Sequence, residues 1–150
     1  MQLAYRPASL AGCGGHLIDA FSGFGGVCHV ELVFREGDCL SSTLEEGVRF
    51  TRRDLTGWII EPLDVTPGEE AIVRVFGQRE AGSPYDKWGV ARFVLPFVKQ
   101  SPSAWFCSEI CVAGLQRINR LLPYDAWRIS PNQLRRLDKS PEYFTGYPTT

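Results

Sequence analysis

The sequence predicts a single α+β domain, on three observations. Runs of β-prone residues fill positions 28 to 63, helical patterns with recognisable caps fill the chain from Thr66 onward, and no repeat, low-complexity tract or linker divides the two. A chain of 150 residues fits one domain that buries roughly 70% of its unfolded surface, so neither disulfides nor a metal is needed for folding.

The elements follow in order. "HLIDAFS" (16 to 22) reads as a short helix that "GFGG" (23 to 26) ends with residues tolerant of positive φ. "CHVELVF" (28 to 34) alternates and is rich in Val, Leu and Phe, and with "CLSST" beyond the Gly-containing turn "REGD" it reads as a hairpin. "GVRFTRR" (47 to 53) and "GWIIEPL" (57 to 63) add two strands, which makes the first half a mostly antiparallel meander. Thr66, Pro67 and Glu69 form an N-cap, a first-turn proline and a capping box, and Gly82 stands just past the end of that helix. "YDKWGVARFVLPF" (85 to 97) predicts a second helix stopped near Pro96. "SAWFCSEICVAGLQRIN" (103 to 119) predicts a third, with Ser101 or Ser103 as cap, and "SPNQLRRLDK" opens a last short one.

Composition excludes several classes. Hydrophobic content of 44% with 22% charged residues is that of a globular protein, and a net charge of -1 argues against a nucleic-acid partner. No apolar run is long enough to span a bilayer. The first fifteen residues lack the apolar core of a secretory signal, and five cysteines without framework spacing point to free thiols. The expected site of synthesis and folding is therefore the cytoplasm, a reading equally compatible with later packaging in a virus particle.

Candidate chemistry is limited by the presence of only two histidines, His16 and His29. His29 lies in a predicted strand, and Cys107 lies near the start of a predicted helix whose dipole favours a thiolate. Such a pair can divide acyl transfer between a sulfur nucleophile and an imidazole base. Against this stands a core reading, because Cys107, Ile110, Cys111, Gly114, Leu115 and Ile118 form one helical stripe and buried free cysteine packs as a small apolar side chain. Cys111, a turn deeper, is the better candidate for that inert role. Cys13, His16, Cys28 and His29 could suggest zinc, but adjacent ligands on a strand point to opposite faces, so no metal or other cofactor is expected. If Glu36 and Gly37 make a two-residue turn, Glu31 pairs with Ser42, and either Ser42 or Glu31 shares a face with His29 and can orient its ring. Both residues have ordinary structural alternatives, as a solvated strand carboxylate and an edge hydroxyl.

The order "CHVELVF", "GVRF", "GSPYDKWG", "WFCSEICVAGL" resembles the circularly permuted branch of the NlpC-type papain-like cysteine hydrolases, and in particular its small phage and prophage members. The resemblance covers most of residues 10 to 135. It implies a papain-like fold, an antiparallel sheet packed against a Cys-bearing helix. It implies Cys107 as nucleophile, His29 as base, Tyr85 as an aid to the oxyanion, and Asp86 and Glu109 as structural hydrogen-bonding groups. It departs from the family at the third position, where many members carry a glutamate and this chain offers Ser42, with Glu31 where others have a small residue. Two functions follow as expectations. One is a thiol hydrolase acting on an amide or peptide bond, with peptidoglycan as the natural substrate in a phage. The other is a non-enzymatic or degenerate module that serves as a structural or binding component, for example beside tail or virion proteins.

Overall fold

The computed structural model describes residues 1–11, 19, 24–88 and 103–140. The predicted helix at 16 to 22, apart from Asp19, and most of that at 85 to 97 lie outside the described residues, as do Cys13 and His16. The described part is a mixed α+β architecture with one five-stranded antiparallel sheet and three α-helices. The strands are β1 (Gln2–Pro7), β2 (Val27–Val33), β3 (Cys39–Thr43), β4 (Gly47–Thr51) and β5 (Ile59–Pro62), and the helices are α1 (Pro67–Glu80), α2 (Cys107–Gln116) and α3 (Pro131–Asp138). None of these helices is long and apolar enough to cross a membrane.

The sheet order is β4-β3-β2-β1-β5, so the expected meander is interrupted. Its source is β1, a strand absent from the sequence-based reading. Leu3, Ala4 and Tyr5 are all fully buried, and the strand inserts between β2 and β5 with Ala4 opposite Glu31 on one side and Ile60 on the other. Pro7, which has no N–H to donate, coincides with the slip in the β1–β2 ladder, where pairing passes from Arg6 opposite His29 to Pro7 opposite Val27.

The β2–β3 hairpin sets which side chains meet. Its loop is three residues long rather than two: Phe34 N–H donates to Asp38 O at 2.9 Å, Gly37 N–H donates to Phe34 O at 2.9 Å, and Gly37 takes φ 88°. A three-residue loop that closes with a residue in the left-handed region is a standard hairpin solution, and glycine is the residue that enters that region without strain. The pairing that results is Leu32 with Leu40 and Val33 with Cys39. It is one residue away from the register a two-residue turn would give, and such a slip sends every β3 side chain to the other face.

The helices begin where the caps require. Thr66 Oγ1 accepts from Glu69 N–H and Glu69 accepts from Thr66 N–H, the reciprocal box read from the sequence. Ser130 and Gln133 repeat it at α3. Helix α2 starts at Cys107 rather than near Ser101 or Ser103, with Phe106 as its N-cap. The phenylalanine side chain offers no oxygen to cap the helix, and the buried Glu109 carboxylate takes the Phe106 N–H at 3.2 Å. One face of the sheet, carrying Leu3, Tyr5, Val30, Leu32, Leu40 and Val48, joins Val73 and Phe76 of α1, the Cys107-to-Leu115 stripe of α2 and Leu134 of α3 in the main core. The other face holds a smaller cluster of Ala4, Val33 and Cys39, against which Leu55 and Trp58 pack.

Candidate functional site

The start of α2 is clamped from both sides. Tyr85 and Trp105 form a parallel bridge, with Trp105 N–H donating to Pro84 O and Asp86 N–H donating to Trp105 O. The Tyr85 ring lies 5.7 Å from that of Phe106, and Trp105 anchors itself by donating from Nε1 to Glu80 at 2.9 Å. Ser108 Oγ donates to Ile129 O at 2.6 Å. This rigid frame delivers Cys107 into the core, where its residue is 1% exposed. Burial pushes the Cys107 thiol up to about 12, aided by the nearby Cys28 thiol and the charge of Glu31 and opposed by backbone groups of Val30 and Ser108. Tyr85 stands close enough to feel Cys107, although burial is the main reason that its hydroxyl is raised. Cys111 is fully buried, with its thiol directed at the carbonyls of Val30 and Leu40, and burial raises it well above the ordinary range.

His29 sits on the other side of the sheet. Val30 and Leu32 face the helices, so His29, Glu31 and Val33 face away from them. The ring meets Trp58 edge-on with centroids 6.0 Å apart. Its Nε2 lies 3.1 Å from Glu31 Oε1, which holds the proton on Nε2 in the neutral ring and leaves Nδ1 as the basic nitrogen. Glu31 is fully buried, and the same oxygen lies 3.1 Å from Arg53 Nε and 4.0 Å from Arg49 Nη2. Burial works against the ionised Glu31 carboxyl, but the His29 hydrogen bond and the charges of His29, Arg53 and Arg49 outweigh it and hold its pKa below the usual value. Cys39 lies beside this carboxylate, and burial, followed by the charge of Glu31, pushes its thiol up to about 11.

The register separates the two serines. Ser41 lies 3.4 Å from His29 Nε2 while donating to Val30 O at 2.8 Å, whereas Ser42 falls on the helix-covered face with its buried hydroxyl unpartnered. Ser42 is therefore not the residue beside His29. Of the five residues singled out from the sequence, the structure brings His29 together with Glu31, while Cys107 and Tyr85 belong to the helix-side core, Tyr85 packing on Phe106 just before Cys107. Sequence reading missed Arg49, Arg53 and Trp58. The period-2 alternation of "GVRF" does point Arg49 away from Val48 and Phe50, but only the β3–β4 register puts it on Glu31's side. Among the described residues, no group of three His, Cys, Asp or Glu side chains is arranged to hold a metal. No family model, curated protein or solved structure matched the chain.

Proposed function

We propose that this chain is a module of the permuted NlpC-type papain-like class that works by binding, as a structural or recognition component, with Cys107 as part of its core rather than as a nucleophile. The observation that carries this reading is the separation of Cys107 from His29 by the thickness of the sheet, with the thiol buried and raised to about 12. A nucleophilic cysteine works as the thiolate with a base within hydrogen-bond reach, and burial in an apolar core opposes both conditions. Iodoacetamide labelling of the folded chain, resolved by peptide mass spectrometry, tests it. The expected result is that Cys107 and Cys111 label only on unfolding and that Cys107→Ala leaves the fold and the labelling of the other cysteines unchanged. Rapid labelling of native Cys107, with hydrolysis of an amide lost in Cys107→Ala, would overturn it.

A second reading, the thiol hydrolase, is favoured by one specific observation: Cys107 is the first residue of α2, with Tyr85 packed on Phe106 directly before it. In that reading the thiolate attacks an amide or peptide carbonyl, His29 returns a proton to the leaving amine and water releases the acyl group. Peptidoglycan is the substrate if the chain acts in a phage. It requires a second conformation in which the His29 ring reaches the helix face.

A further inference from the structure

We propose that the face of the sheet turned away from the helices carries a binding site for a planar carboxylate, built from Arg49 and Arg53 with His29 and Trp58 as its walls. The inference goes beyond the reading above and holds whatever Cys107 does.

The first support is the count of charges. Three cationic or potentially cationic side chains, His29, Arg49 and Arg53, converge on one carboxylate, Glu31. Arg49 has a further partner in Glu46, but the Glu46 side chain is 60% exposed and that pair is screened by solvent. Arg53 has no carboxylate partner besides Glu31 among the described residues. Glu31 and Glu46 together match the two guanidiniums in charge, but of the two carboxylates only Glu31 is buried, so Arg49 and Arg53 share one buried anion.

The second support is independent of charge. Arg49 Nη1 and Thr43 Oγ1 are buried with no hydrogen-bond partner, and Thr43 lies on the same side of the sheet as Arg49, two residues from Ser41 along β3. Buried donors left unmade are rare in folded proteins, and a bound polar group is one way to satisfy them. Glu31 Oε2 is unpartnered as well, so this face holds one unmade acceptor beside the Arg49 donor and the Thr43 hydroxyl, and it is the Arg49 donor that points to a bound acceptor.

Geometry then selects the ligand class. Guanidinium offers parallel N–H groups that match the two in-plane oxygens of a carboxylate. With Arg53 Nε directed at Glu31 and the Arg53 side chain 33% exposed, the guanidinium is oriented from beneath and reachable from outside. Arg53 also lies 6.0 Å from the Trp58 ring centroid, so the indole supplies an apolar wall for whatever carries the carboxylate.

The test uses the full chain and N-acetylglycine as probe, with N-acetylglycine amide and inorganic phosphate as comparisons, by isothermal titration or NMR shift mapping. Saturable binding of N-acetylglycine is expected, with no binding of the neutral amide and weaker binding of phosphate. Arg53→Gln should weaken it by about tenfold and Arg53→Lys, which keeps the charge but not the fork, by about threefold. Circular dichroism confirms that each variant is folded. Because Arg53 is partly exposed, these variants probe the site without emptying the core. Unchanged affinity in folded Arg53→Gln, equal binding of the amide or of phosphate, or no saturation by about 50 mM would each overturn the proposal.

Discussion

The two faces of the sheet are built on opposite principles. The helix face is apolar and continuous: Leu3, Tyr5, Val30, Leu32 and Leu40 meet the stripes of α1, α2 and α3, and its two α2 cysteines are buried thiols with raised pKa values. The other face concentrates charge around a fully buried carboxylate, with an imidazole and two guanidiniums on Glu31 and orphaned polar atoms at its margin. The contrast shows how alternation along one strand, β2, separates groups that are adjacent in sequence. Val30 packs under the helices while His29 and Glu31, its immediate neighbours, form an ionic cluster.

The contrast can be broken from either side. The largest effect is expected from Leu32→Ala, which empties a fully buried position on the helix face and should cost about 3 kcal/mol in denaturant unfolding. On the polar face, Glu31→Leu removes the countercharge for two guanidiniums, and a loss of about 2–3 kcal/mol is expected since Arg53 is partly solvated. A variant as stable as the parent would mean that the cluster contributes nothing to the fold. Gly77→Ala overpacks the helix face, because its Cβ would come 2.5 Å from Leu40 Cδ2 and 2.8 Å from Phe50 Cζ, with an expected cost of about 1–3 kcal/mol.

The serine pair sharpens the register itself. Ser41→Ala removes a hydrogen bond to Val30 O and should cost about 1 kcal/mol, while Ser42→Ala removes a buried unpartnered hydroxyl and should be neutral or stabilising. The reverse order would restore the two-residue turn.

The smallest effect is a pH dependence at the end of α3. Burial and then the charge of Glu61 raise Asp138 to about 6, against the lowering influence of its Tyr5 hydrogen bond and Lys139. A folded pKa above the unfolded value means that this group's stabilisation is fully present below about pH 4 and lost as pH rises through about 6. Asp138→Asn should remove that slope and raise stability at neutral pH by about 1 kcal/mol after allowance for solvent screening. A parent whose stability is level between pH 4 and 7 would contradict it.

Much of the architecture was legible because its signals are local. The Thr66–Pro67–Glu69 box, the Pro131 start of α3 and the alternation of β2 and β4 are each read within a few residues and recur in the structure. Strand β1 was missed because "QLAYRP" is short and mixes Gln, Arg and Pro with only three buried residues; its burial comes from being flanked by β2 and β5. The candidate site was less legible. One extra loop residue, Arg35, exchanged Ser42 for Ser41, and the Glu31–Arg49–Arg53 cluster depends on pairings across three segments that no window of sequence contains.

The account rests most heavily on Cys107 being a core thiol on the face opposite His29, and the pH profile of its alkylation in the native state measures that directly. The account predicts slow labelling that keeps rising through pH 10 without a plateau, as a thiol raised to about 12 requires. A plateau with a midpoint near or below pH 7, abolished by His29→Ala, would contradict it and put the two residues on one face.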